Sequence, residues 1–133
     1  MLFRSRWADD VRAFCDALDA WLRQAFQLYT RTPRDPHALQ RAVRRPEVTR
    51  WFTRPGGEGH TFDLVPALSR VRCPTLVMGG EDDPMTPIEC QADIAAALPA
   101  HLVRFERFAG CGHAVLPDAP ARGLAAIRDF ITR

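Results

Sequence analysis

An aspartate and a histidine stand in this sequence where a fold could bring them together to share a proton. Asp83 lies in the charged turn Glu81-Asp82-Asp83-Pro84, and His113 follows the loop Gly110-Cys111-Gly112. A carboxylate that accepts a hydrogen bond from an imidazole fixes its tautomer and stabilises the imidazolium formed when the histidine takes a proton. Taken singly, each residue is more often an ordinary loop residue. Their value as candidates depends on the elements that position them.

Two short apolar segments precede these polar loops. Residues 75–78, Thr-Leu-Val-Met, end at Gly79-Gly80, and this run predicts a buried parallel strand. Residues 102–108 predict a second strand, whose alternation of apolar and charged side chains suits the edge of a sheet.

A helix is predicted after each strand. Residues 86–89, Thr-Pro-Ile-Glu, have the pattern of a capping box, with Thr86 as the cap. The next residues give that helix an apolar face. The last helix is predicted to begin near Pro120 and to turn three aliphatic side chains inward, namely Leu124, Ile127 and Ile131.

The resulting order is strand, acidic turn, helix, strand, histidine loop, helix. Parallel strands joined by a helix lie side by side with a right-handed crossover. The loops of Asp83 and His113 would then follow the carboxyl ends of adjacent strands, which is the edge where open α/β sheets bind ligands. Because of this shared location, Asp83 and His113 together are stronger candidates for a functional site than either residue is alone.

The first third of the chain is predicted to be helical. One apolar stripe at steps of three and four residues predicts a long helix, through Val11, Phe14, Cys15, Leu18, Leu22, Ala25, Phe26 and Tyr29. Shorter helices are predicted at residues 37–45 and 47–52, and another around residues 64–68.

Composition argues against several functional classes. The net charge is only +2, and the 18 basic residues, all arginine, are scattered apart from Arg41, Arg44 and Arg45, so we expect no nucleic-acid-binding face. The four cysteines have no C-x-x-C spacing, which predicts buried free thiols rather than a zinc site or a redox pair. There is no secretory signal and no apolar run of about 20 residues. We therefore expect a cytoplasmic protein without a membrane partner.

The segment from Cys73 to Pro87 resembles the seventh-strand region of α/β-hydrolases. That region has a strand, then G-x-x-D, then a proline four residues later. Gly80, Asp83 and Pro87 match these places, and the match favours Asp83 over Asp82 as the acid.

The segment from Phe108 to His113 resembles the catalytic-histidine loop of the same family. Asp118-Ala119-Pro120 follows it as in the family's final helix, and the spacing of about 30 residues from Asp83 to His113 is also typical. The resemblance implies that Asp83 and His113 are the acid and the histidine of a catalytic triad, and it implies no cofactor.

The resemblance also implies an α/β fold class, namely a partial α/β-hydrolase fold. A helical, lid-like segment at residues 1–61 would precede a βαβα part with two parallel strands at residues 62–133. Phe62-Asp63-Leu64 and the helical segment before it look like the lid of the proline-iminopeptidase-like branch. Haloalkane dehalogenases, epoxide hydrolases, esterases and acyltransferases share much of the same C-terminal pattern.

The sequence departs from the family at the nucleophile. Family members carry a G-x-S-x-G elbow before the acid and the histidine. The only serines here, Ser5 and Ser69, are in no such elbow, and Cys111 is better explained as a structural thiol. We therefore expect the C-terminal part of a serine hydrolase that acts on small ester, amide or peptide substrates. Its nucleophile would come from an N-terminal half.

Two alternatives remain open. The chain could be a non-catalytic relative that binds a partner, either a separate N-terminal half or another copy of itself, because the first strand would otherwise have an unpaired edge. A metal could instead bind at Glu81, Asp82, Asp83 and His113. The proline within that turn and the lack of further clustered ligands argue against the metal.

Overall fold

The computed structural model describes residues 11–25, 28–32 and 45–132. Within these residues the chain forms two compact units, one of residues 11–25 and 45–63 and the other of residues 28–32 and 64–132. The second unit thus includes a short segment, residues 28–32, from the part of the chain predicted to be lid-like. The domain division between residues 61 and 62 stays a prediction.

The first unit is helical. It contains α1 (Val11–Ala25), α2 (Pro46–Thr53) and a 3-10 turn at Glu58–His60. The second unit contains a 3-10 helix, β1, α3, β2, α4 and α5 in chain order, with the bounds Val65–Arg70, Thr75–Gly80, Ile88–Ala97, Val103–Phe108, Val115–Asp118 and Pro120–Ile131.

The helical predictions for the first third are confirmed in part. The long helix is present as α1 but ends at Ala25, so Tyr29 does not continue its stripe and lies instead in the segment 28–32. The predicted helix 47–52 is α2, which starts with Pro46 at its first position, where a missing amide proton is harmless. The helix predicted at residues 37–45 lies outside the described residues, apart from the non-helical Arg45.

The second unit has the predicted βαβα arrangement. β1 and β2 are parallel neighbours, with Thr75 opposite Val103 and Gly80 opposite Phe108, and α3 connects them. Among the residues that the structure describes, these two strands make up the whole sheet. The predicted α/β arrangement with two parallel strands is therefore confirmed.

The core of the second unit is small and lies between the sheet and the last two helices. Phe108 is 0% exposed and packs with Cys111, Val115 and Ala126. Small residues let α5 approach closely, since a Cβ atom on Gly123 would lie only 2.7 Å from Leu116.

The predicted inward face of α5 is partly wrong. Ile127 is half-buried, but Leu124 is 54% exposed and Ile131 is 72% exposed. The buried positions on α5 are Gly123 and Ala126. A sheet of two strands offers only a narrow apolar surface. Leu124 and Ile131 on α5 are therefore not covered by the residues that the structure describes.

Two predictions from composition can be compared with the structure. Cys111 is a buried free thiol as predicted, whereas Cys73 and Cys90 are free but exposed. Cys73 lies in the loop before β1 and Cys90 points outward from the first turn of α3. No helix among the described residues combines the length and the hydropathy needed to cross a bilayer.

Candidate active site

Asp83 and His113 come together at the carboxyl end of the sheet. The Nδ1 atom of His113 lies 2.9 Å from Oδ2 of Asp83, although the two residues are 30 positions apart. The side chain of Asp83 is 3% exposed and that of His113 is 43% exposed. The carboxylate is therefore shielded from water while the imidazole remains accessible.

Four hydrogen-bond donors surround the carboxylate of Asp83. Its Oδ1 accepts from the backbone amides of Met85 (2.8 Å) and Thr86 (3.1 Å). Its Oδ2 accepts from the Thr86 hydroxyl (2.7 Å) and from His113. Burial disfavours the charged form, but these hydrogen bonds outweigh it, so the pKa of Asp83 lies below the ordinary aspartate value. The aspartate is thus ionised at neutral pH.

The ionised aspartate determines the tautomer of His113. A charged carboxylate can only accept hydrogen bonds, so Nδ1 of His113 must carry the proton that joins the two residues. In the neutral ring, Nε2 then has a free lone pair. This is the protonation state that a general base needs.

Thr86 contributes to the site in a way that its sequence did not predict. The capping-box prediction is wrong, because the residue at the cap position is Pro87 and no side chain caps α3. The Thr86 hydroxyl donates instead to Asp83, and its oxygen accepts a hydrogen bond from Gln91 Nε2 at 3.0 Å. A chain of hydrogen bonds therefore runs from Gln91 on α3 through Thr86 to Asp83.

Gly80 allows the acidic turn and the histidine loop to pass close to each other. A Cβ atom on Gly80, at the end of β1, would overlap the backbone carbonyls of Cys111 and Gly112. The amide of Asp82 donates to the carbonyl of Cys111 at 2.9 Å across the same gap. The Gly-Gly end of β1 is therefore needed to bring the histidine loop against the acidic turn.

The segment 28–32 contacts the histidine loop. The His113 amide donates to the carbonyl of Tyr29, and the two rings meet edge to face with centroids 5.5 Å apart. Burial and the nearby charge of Asp83 raise the pKa of Tyr29. Asp118 at the end of α4 accepts hydrogen bonds from both the loop and the segment. Sequence reasoning missed Tyr29 because no local pattern links it to the histidine, and treated Asp118 only as part of a motif.

The other two acids of the turn have different partners. Glu81 pairs with Arg107 (3.0 Å) and Asp82 pairs with Arg31 (2.8 Å), both at the surface. The three carboxylates of residues 81–83 therefore do not converge on one point. Within the described ranges no cluster of three or more histidine, cysteine or acidic side chains is arranged to hold a metal ion.

Neither candidate nucleophile of the second unit is placed for attack. The hydroxyl of Ser69 is exposed and donates to the carbonyl of Pro66 at 3.4 Å. Cys111 is 3% exposed, and burial together with the charge of Asp118 raises the pKa of its thiol. A buried, protonated thiol is a poor nucleophile.

The helical unit contains a surface cavity of about 420 Å³. It is lined by α2 and the turn after it, including Val48, Trp51 and Phe52. The guanidinium of Arg54 lies 3.6 Å from the centre of the Trp51 ring. This cavity is mainly apolar and contains no arrangement of acid and base like that of Asp83 and His113.

Comparison with known proteins identifies a family for this chain. The sequence profile of the Alpha/beta hydrolase family matches residues 1–127. A curated relative, "Putative carbamate hydrolase RutD" from Caulobacter sp. (strain K31), is 32% identical over 71 residues, which are 53% of this chain and 26% of that protein. The chain thus spans about a quarter of the length of this relative.

Two solved structures are also similar. A serine hydrolase involved in carbazole degradation (CarC) has a TM-score of 0.61 at 18% identity, covering 92% of this chain and 47% of that one, and this similarity concerns the fold. A thermophilic esterase from Thermogutta terrifontis is 30% identical, with a TM-score of 0.49, over 53% of this chain and 25% of that one. Since the family profile matches nearly the whole sequence, this chain belongs to the alpha/beta hydrolase family.

Proposed function

We propose that this chain is the acid-and-histidine part of a serine hydrolase that cleaves small ester, carbamate or amide substrates. The observation that carries the proposal is the pairing of the buried carboxylate of Asp83 with the accessible imidazole of His113 at 2.9 Å. The identity of the nucleophile as a serine, and its location in another polypeptide segment, are parts of the proposal.

The mechanism assigns one role to each residue. His113 Nε2 takes the proton of the serine hydroxyl as its oxygen attacks the carbonyl carbon, and then gives that proton to the leaving alcohol or amine. Water repeats the sequence on the acyl-enzyme and releases the acid. Asp83 stays ionised throughout, holds Nδ1 in its protonated form and stabilises the imidazolium.

The nucleophile and the oxyanion-binding amides would come from a segment that pairs along the free edge of β1. Among the described residues β1 has a neighbour only on the side of β2, so its other edge can accept a further parallel strand. A strand there would also bring its own carboxyl end to the edge of the sheet where Asp83 and His113 lie.

The relatives bear on the substrate class. Their names include a carbamate hydrolase and an esterase, so esters and carbamates are the first substrates to test. A peptide substrate, as in the proline-iminopeptidase-like branch, rests only on the resemblance of residues 62–64 and their upstream helices to a lid. A cytoplasmic location and the absence of a nucleic-acid partner stay predictions.

A non-catalytic, partner-binding role is the second candidate. The observation that favours it is the exposed apolar surface of α5 at Leu124 and Ile131, together with the unpaired edge of β1. Such a protein would bind an N-terminal half or a second copy without turnover.

The test is reconstitution with a segment that carries the G-x-S-x-G elbow. The chain is expressed alone and together with the N-terminal half of a family member, and each sample is assayed with p-nitrophenyl esters and with a phosphonate probe that labels activated serines. We expect hydrolysis and labelling only in the joint sample, and His113→Ala should abolish both.

The exposed His101, in the loop before β2, provides the matched control His101→Ala, which should keep full activity. A stable but inactive complex would favour the second candidate.

A further inference from the structure

Asp118 connects two parts of the second unit that are far apart in the chain. Its Oδ1 accepts the backbone amide of Thr32 at 2.8 Å, and its Oδ2 accepts the backbone amide of Gly112 at 2.8 Å. Each carboxylate oxygen therefore fixes a different backbone, one in the segment 28–32 and one in the loop directly before His113.

This double contact has a consequence for the histidine. The segment that Asp118 holds presents the Tyr29 carbonyl to the His113 amide and the Tyr29 ring to the imidazole. The loop that Asp118 holds ends in His113 itself. The backbone and the ring of His113 are thereby both restrained, and Asp83 additionally restrains Nδ1.

The histidine loop and the segment 28–32 are closely packed at Gly112. A Cβ atom on Gly112 would overlap the Tyr29 carbonyl, so the two backbones are in direct contact. The buried amide of Gly112 would have no acceptor here if the Asp118 carboxylate were removed, and such an unsatisfied group costs about 1–3 kcal/mol. The loop would then have to move to recover a partner.

We propose that Asp118 is a positioning residue for His113, acting by tying the histidine loop to the segment 28–32. The inference rests on the proposed function, because it assigns a catalytic purpose to the orientation of the imidazole. A hydrogen bond to a charged acceptor is about twice as strong as a neutral one, which makes a carboxylate suited to hold two backbone amides at once.

The first experiment needs only the chain itself. In the nitrogen-15-labelled protein we expect Asp118→Ala to speed deuterium exchange of the Gly112 and His113 amides at least tenfold. It should also remove the nuclear Overhauser contact between the rings of Tyr29 and His113. Asp129→Ala, at an exposed aspartate on α5, is the matched control and should change neither. Unchanged exchange and an unchanged ring contact in Asp118→Ala would overturn the proposal.

A second variant covers the case in which Asp118→Ala does not fold. Asp118→Asn keeps the shape and one acceptor oxygen but turns an amide group toward the other backbone donor. We expect exchange at Gly112 or at Thr32 to rise at least threefold, and wild-type exchange at both positions would overturn the proposal.

The catalytic readout uses the reconstituted hydrolase, with active serines counted by the phosphonate probe. A positioning role predicts that Asp118→Asn lowers kcat per active site about tenfold while KM changes less than twofold. A loss of folded protein alone would lower the count of active serines and leave kcat per site unchanged, which would contradict the role. If the wild-type reconstitution shows no hydrolysis, the proposed function fails, whereas the exchange experiment still decides whether Asp118 holds His113.

Discussion

The carboxyl end of the sheet and the surface of α2 differ in burial and in hydrogen bonding. At the sheet, the buried carboxylate of Asp83 is surrounded by hydrogen-bond donors and the adjacent loops touch backbone to backbone. At α2, aromatic side chains lie open to solvent, with Trp51 60% and Phe52 40% exposed. Hydrogen bonds and backbone contacts thus restrain the side chains at the sheet edge, whereas the aromatic side chains of α2 have few such restraints and remain accessible to solvent.

The largest effect is expected at Asp83. Asp83→Asn in the reconstituted hydrolase should lower turnover about 10⁴-fold, because the amide favours the wrong tautomer of the histidine. Asp82→Asn is the matched control one residue away, since Asp82 makes a surface pair with Arg31 and should leave turnover within about twofold. Steady-state kinetics of both variants measures this. Equal losses would mean that the acidic turn acts as a whole and not through Asp83.

A core substitution compares the two regions directly. Phe108→Ala removes a side chain that is 0% exposed and should lower the free energy of unfolding by about 3–5 kcal/mol. Trp51→Ala removes a mostly exposed ring on α2 and should lower it by less than about 1 kcal/mol. Urea unfolding followed by circular dichroism gives both values. A large loss for Trp51→Ala would show that the α2 surface is packed in solution.

Two glycine substitutions compare the same two regions and should have smaller effects on the free energy of unfolding. Gly80→Ala should lower the free energy of unfolding by about 2–3 kcal/mol, since the added methyl group meets the backbone of the histidine loop. Gly56→Ala, in the turn after α2, meets no atom within 4 Å and carries only the strain of its positive φ, about 1–2 kcal/mol. The same unfolding measurement applies, and the reverse order would contradict the close approach of the two loops.

The smallest expected effect is a pH dependence of stability. The pKa of Asp83 is lowered in the folded state, so its contribution is fully present above the unfolded value of about 3.9 and is lost as the pH falls through the folded value. Asp118, whose pKa is also lowered despite partial burial, should act in the same direction. Unfolding free energies between pH 6 and 2.5 should therefore fall less steeply in Asp83→Asn than in the wild type. Parallel curves would show that the carboxylate is not stabilised by folding.

The sequence was sufficient to predict the strand and helix order of residues 75–131 and the meeting of Asp83 with His113. An apolar run ending at glycine predicted β1, and an alternation of apolar and charged residues predicted β2. The position of the two polar loops after adjacent strands predicted that Asp83 and His113 meet. The capping role of Thr86 was wrong because a tertiary acceptor, the Asp83 carboxylate, competes for its hydroxyl. That competition is invisible in a local pattern.

The contributions of the segment 28–32 could not be predicted for a different reason. In the sequence, Tyr29 continues the helical spacing of α1. In the structure, Tyr29 lies outside that helix, and the Tyr29 ring contacts His113. The exposure of Leu124 and Ile131 was also not predictable, because helical periodicity shows which side chains share a face but not how much sheet lies beneath it.

Nitrogen-15 chemical shifts of the imidazole show whether Asp83 holds His113 in the tautomer of a general base. When the ring is neutral, we expect a protonated Nδ1 and an unprotonated Nε2. Asp83→Asn should shift the ring toward the Nε2-protonated tautomer. If the wild-type ring is already protonated on Nε2, or if Asp83→Asn leaves the tautomer unchanged, then Asp83 does not set the tautomer of His113.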